Sequence, residues 1–71
     1  MAPESPYDLG GAALQKAFSA GMSQYQAKNY VEAASLFARI VDSADPADAL
    51  VQESNYLLGV ALFNLKLHQS A

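Results

Sequence analysis

Apolar and polar positions fall into three helix-length blocks separated by short polar punctuation. In the first block Leu14, Phe18, Met22 and Tyr25 recur at spacings of four, four and three, and Ala17, Gly21 and Gln24 form a narrower stripe beside them. That spacing puts each set on one face of an α-helix. The bulky stripe needs a core or a partner, and the small stripe lets another helix come close. In the second block Ala33, Leu36, Phe37, Ile40 and Val41 form the expected core face, with Glu32, Ser35, Arg39 and Asp42 opposite. In the third, Leu50, Leu57, Leu58, Ala61, Leu62 and Leu65 make a broad apolar face with Tyr56, Val60 and Phe63 beside it. The second half of that helix is apolar over most of its circumference, which calls for cover on more than one side.

The punctuation predicts the boundaries. Ser5 suits an N-cap, Pro6 the first helical position and Asp8 the positive first turn, so a helix is expected over 7–28 behind a flexible end at 1–6. Gly10 and Gly11 weaken its start by roughly 1 kcal/mol each relative to alanine. Asn29 is the expected N-cap of a helix over 30–43, with Glu32 closing a capping box. Asp45, Pro46 and Asp48 repeat the opening logic and predict a third helix over 46–66 with Asp45 as its cap. Leu67 to Ala71 then predict a turn and the start of a fourth helix at 68–71, as though the chain were cut from a longer helical protein.

Composition narrows the class. The 71 residues make one small domain, here 7–71, and no cysteine is present to staple it. Alanine-rich, proline-free runs favour close-packed helices, so the expected fold class is all-α. The net charge is −3, and the bases Lys16, Lys28, Arg39 and Lys66 are scattered. Nucleic-acid binding, which needs a basic stripe, is disfavoured, and a polybasic membrane patch is missing. The N-terminal MAPESPYD has neither the basic nor the apolar region of a signal peptide, and the run from Tyr56 to Leu65 is too short to span a bilayer. As given, the chain reads as soluble; if it is a piece of a longer protein, an export signal would lie outside it.

Candidate chemistry changes this little. His68, the only histidine, has no acid, second base or nucleophile at a recognisable spacing. Asp42, Asp45 and Asp48 carry oxygen ligands but not the spacing or glycine of a calcium loop, and helix capping accounts for Asp45 and Asp48. No serine lies in a Gly-x-Ser-x-Gly turn, and Gly10-Gly11 lacks a lysine at phosphate-loop spacing. The reading is therefore non-enzymatic, with no catalytic residues, metal or cofactor.

A longer period organises the blocks. Shifting the chain by 38 residues places Gly21 on Gly59, Phe18 on Tyr56, Met22 on Val60, Lys28 on Lys66 and Ala33 on Ala71. A period of this size is the signature of stacked helical repeats. Gly21, Ala33-x-x-x-Phe37 and Pro46, then Leu58-Gly59 and Ala71, resemble the W-x-x-L-G-x-x-Y, A-x-x-x-F and P positions of the tetratricopeptide repeat. The chain departs from that pattern: Ala17 and Asn55 replace the aromatic, Ala20 the leucine and Gln24 the tyrosine, and Lys28 and Lys66 stand where glycine is common. The longer period looks like the divergent repeats of bacterial envelope proteins such as the Tol-Pal coordinator and the outer-membrane assembly lipoprotein.

The resemblance implies antiparallel helix pairs stacked as a superhelical array, about one and a half repeats long, and a protein-binding scaffold or adaptor. It implies further that Phe18, Met22, Tyr25, Tyr56, Val60 and Phe63 line a groove for a peptide or helix, with Gln15, Gln26, Glu53 and Asn64 at its edges. The lysine and asparagine clamp that the family uses on C-terminal carboxylates has no counterpart there, so an apolar partner is expected. The alternative is structural: a packing segment of a larger helical protein, with self-association through the uncapped helix 47–66 and no peptide ligand.

Overall fold

Glycine and a backbone clip decide where the first helix begins. The computed structural model describes residues 9–70, in which α1 spans Gly11–Gln26, α2 Tyr30–Ser43 and α3 Ala49–Ser70. Leu9 and Gly10 are not helical, so the expectation of a helix from residue 7 is corrected. The Leu9 N–H donates to the Ser43 carbonyl at 3.0 Å, and Leu9 pairs with Ala44 in an isolated parallel bridge. Leu9 is buried by this contact, which holds the chain extended at the end of α2. Gly10 remains extended, and Gly11 enters the helix at φ +53°, a left-handed value that costs a residue with a Cβ about 1–2 kcal/mol. The expected cap at Ser5–Asp8, the flexible end at 1–6, Ala71 and the His68 side chain lie outside what is described.

The three-residue link between α1 and α2 is a Schellman motif. The Asn29 N–H donates to the Gln24 carbonyl at 2.8 Å and the Lys28 N–H to the Tyr25 carbonyl at 3.0 Å. Lys28 occupies the left-handed position at φ 65°, where glycine would be free of strain. The expected capping box between Asn29 and Glu32 is not formed. Asn29 does stand at the N-cap position of α2, but its Nδ2 donates to Gln24 Oε1 at 2.8 Å, so its side chain reinforces the end of α1 instead. So short a link folds α2 back along α1.

The link to α3 also departs from expectation. Asp45 to Asp48 forms a β-turn, with the Asp48 N–H donating to the Asp45 carbonyl at 2.9 Å and Pro46 at the position that favours it. Asp45 Oδ1 accepts from the Ala47 N–H at 3.0 Å within that turn. Asp48, not Asp45, is the cap: its Oδ1 accepts from the Leu50 N–H at 2.9 Å, and α3 begins at Ala49 rather than at 46. At the far end, the expected turn at Leu67 and fourth helix at 68–71 are corrected, because α3 continues through Ser70. No proline or glycine stands after Gly59 to stop it.

The described residues are thus all-α, with α2 packed against both α1 and α3. Leu9, Leu14, Ala33, Phe37, Ile40, Ala44, Val51 and Leu57 form the core cluster. The prediction for α2 holds at Ala33, Phe37 and Ile40, while Leu36 and Val41 are half-buried. The prediction for α3 holds at Leu57 and Ala61, while Leu50, Leu58 and Leu65 are half-buried. Its buried stripe is Val51, Ser54, Leu57 and Ala61, and Leu62 is exposed. Two small residues, Ser54 and Ala61, lie in that stripe and reduce the bulk between α3 and its neighbours.

Candidate functional site

The six residues expected to line one groove divide into two groups. Phe18, Met22 and Tyr25 on α1 are half-buried and packed against the core. The Phe18 ring meets Phe37 with centroids 5.9 Å apart, and the Tyr25 ring meets Tyr30 edge-on at 5.8 Å. These three side chains contribute to the fold before they could contribute to a site. Tyr56 and Phe63 on α3 are 66% and 61% exposed, and Val60 is half-buried. Of the expected edge residues, Gln15, Gln26 and Glu53 are exposed. Asn64 is half-buried, and its Nδ2 donates to the Val60 carbonyl at 2.8 Å, which ties it to its own helix.

The difference between the groups follows from which face of each helix α2 covers. On α1 the stripe Leu14, Phe18, Gly21, Tyr25 lies under α2, with Leu14 and Gly21 buried. A Cβ built on Gly21 would sit 2.7 Å from Phe37 Cε1, so glycine is what lets the Phe37 ring lie against the α1 backbone. The 38-residue shift carries this stripe onto Gln52, Tyr56, Gly59 and Phe63 of α3, all four of them exposed. A Cβ on Gly59 would meet nothing within 4 Å. Leu62 and Leu67, also exposed, extend the apolar surface toward the end of the helix. The two stripes therefore share a pattern: one has a helix seated on it and the other is open.

The converse holds on the other face. The shift carries Val51, Ser54 and Leu58 of α3 back onto Ala13, Lys16 and Ala20 of α1, which line a shallow open hollow with Leu9, Ala17 and Leu36. Lys16 stands there in place of the buried Ser54. Ser54 is fully buried, and its hydroxyl has no hydrogen-bond partner.

Sequence reasoning placed Tyr56 and Phe63 in a site but overlooked Gly59, Leu62 and Leu67. The signal was available: the shift puts Gln52 on Leu14, which distinguishes the open stripe from the buried one. Among the described residues no group of three or more histidine, cysteine or carboxylate side chains could hold a metal ion. No helix there is long and apolar enough to cross a membrane. Comparison with protein-family models, with curated proteins and with solved structures gives no match.

Proposed function

We propose that this chain is a non-enzymatic protein-interaction module, a scaffold or adaptor built from tetratricopeptide-like helix pairs. The observation that carries the reading is the open stripe on α3, where Tyr56, Leu62, Phe63 and Leu67 are all more than half exposed. Four large apolar side chains on one helix gain free energy when a partner removes them from water, by about 25 cal/mol for each Å² of apolar surface covered. The repeat reading is supported by the 38-residue period and by the seat that Gly21 makes for Phe37.

A photo-crosslinking residue in place of Phe63 tests the reading. In an extract of the source cell it should give a discrete adduct with another polypeptide, and the same residue in place of exposed Ser19 should not. The same stripe favours one second reading, self-association through α3. Adducts only between copies of this chain, with a dimer in sedimentation, would establish that reading in place of the first.

A further inference from the structure

We propose that the hollow beside Lys16 is a second docking surface, and that its partner is an acidic polypeptide segment with large apolar side chains. The proposal does not rest on the α3 stripe. Leu9, Ala13, Ala17, Ala20 and Leu36 give the hollow, about 300 Å³ in volume, an apolar lining. The bond from the Leu9 N–H to the Ser43 carbonyl makes one of these residues a fixed part of the fold. Ala13, Ala17 and Ala20 recur at spacings of four and three, a low row of methyls on α1 that lets a partner come close. Lys16 and Arg39 complete the lining. They are two of only four bases in a chain of net charge −3, and both are exposed. Among the described residues no carboxylate lines this hollow or pairs with either base. Arg39 also lines a neighbouring hollow together with Asp42, so Lys16 carries the larger part of the charge requirement.

The 38-residue shift shows why the cover must be acidic. It places Lys16 on Ser54, which is fully buried where α3 packs in the fold. An ammonium buried the same way without a partner would cost several kcal/mol. A purely apolar cover over Lys16 is therefore disfavoured, whereas a carboxylate set among apolar side chains satisfies the cation and the alanine row together. Two bases fall short of the cluster of about four to eight that marks an anionic lipid surface. The hollow is shallow and open, whereas a small-molecule site encloses most of its ligand. A polypeptide brings further contacts along its own length, and so fits this surface best.

The test is selection of random peptides displayed on phage without a free C-terminus, so that only side-chain carboxylates can supply the anion. The target is the full chain. Winning sequences should carry aspartate or glutamate beside leucine, isoleucine or phenylalanine. As synthetic peptides amidated at the C-terminus they should move the amide NMR signals of Ala13, Ala17, Ala20 and Leu36, and their binding should weaken as salt is raised. Lys16→Gln combined with Arg39→Gln should weaken binding by about tenfold or more, as loss of one side of a desolvated charge pair does. Selection against the Lys16→Glu variant should return lysine or arginine in place of the acids. Winners without an acidic bias, binding unchanged in the double glutamine variant, or signals that move only on α3 would overturn the proposal. So would binding that appears only after residues 1–8 are removed, because Glu4 and Asp8 of the chain itself would then claim the face. A dimer of the chain that Lys16→Gln dissociates would likewise give the face to a second copy. Binding to phosphatidylserine vesicles that the double variant loses, with no acidic peptide selected, would give it to a lipid headgroup instead. None of these failures touches the α3 reading, since the crosslink at Phe63 reports on that stripe alone.

Discussion

At the scale of single residues, two glycines that match in sequence context sit in opposite environments, and one substitution made at both separates them. Gly21→Ala would push a methyl against the Phe37 ring at 2.7 Å, and Phe37 is fully buried. Overpacking of this kind costs about 1–3 kcal/mol. Gly59→Ala adds a methyl to open space in the middle of a helix, where alanine is favoured over glycine by about 0.5–1 kcal/mol. The expected outcome is a lower midpoint for the first variant and a higher one for the second, measured by thermal denaturation followed by circular dichroism. Equal destabilisation by both would mean that Gly59 is covered in solution. Ser54 gives a related prediction. Its buried hydroxyl has no partner, so Ser54→Ala removes an unmet hydrogen-bonding group and improves helix propensity. Stability should rise by roughly 1 kcal/mol, and a loss on urea titration would show that the hydroxyl has a role in the packed state.

At the scale of elements, the helix ends show which parts of the sequence could be read locally. Asp45 and Asp48 are equivalent to a local reading, since each precedes good helix formers and stands near Pro46. The structure distinguishes them, because Asp45 closes the turn while Asp48 caps α3. Asp48→Ala should therefore cost about 1 kcal/mol, and Asp45→Ala clearly less, a difference that parallel denaturant titrations would resolve. Comparable losses would assign the cap to both. The existence of three helices was legible because periodicity and capping residues act over one or two turns. The buried face of α3 was legible at Leu57 and Ala61, but not at its margins: how α3 lies on α2 decides that the buried stripe runs through polar Ser54 while bypassing Leu62. The start of α1 was missed for a similar reason. The clip between Leu9 and Ser43 joins residues far apart in sequence, and no local pattern announces it. Asn29 shows a choice between two local satisfactions: its amide can cap α2 or bond Gln24, and the Schellman turn brings Gln24 within 2.8 Å. The candidate site was legible only at Tyr56 and Phe63, since exposure of the stripe is a property of what packs beside it.

At the scale of the whole molecule, the lengths of the helices set where stability ends. With 22 residues, α3 is roughly 33 Å long, and α2, with 14, is roughly 21 Å. An antiparallel neighbour of that length cannot cover all of α3. Full burial on α3 accordingly begins at Val51 and ends at Ala61; Asn64 and Leu65 are half-buried, and Lys66 and Leu67 are exposed. Beyond Leu65 the helix is held by its own backbone bonds, which are marginal over so short a stretch in water. Amide hydrogen exchange should therefore show a gradient along a single unbroken helix. Amides from about 54 to 61 should exchange only on global unfolding, and those past 65 should exchange with far smaller protection, through local fraying. The gradient is informative because the apolar side chains past Ala61 do not follow it. Leu62, Phe63 and Leu67 are as hydrophobic as those of the core, yet they lie where the described residues offer no cover. Strong protection through Ser70 in the free monomer would refute the open-face description, because something in the chain itself would then be covering it.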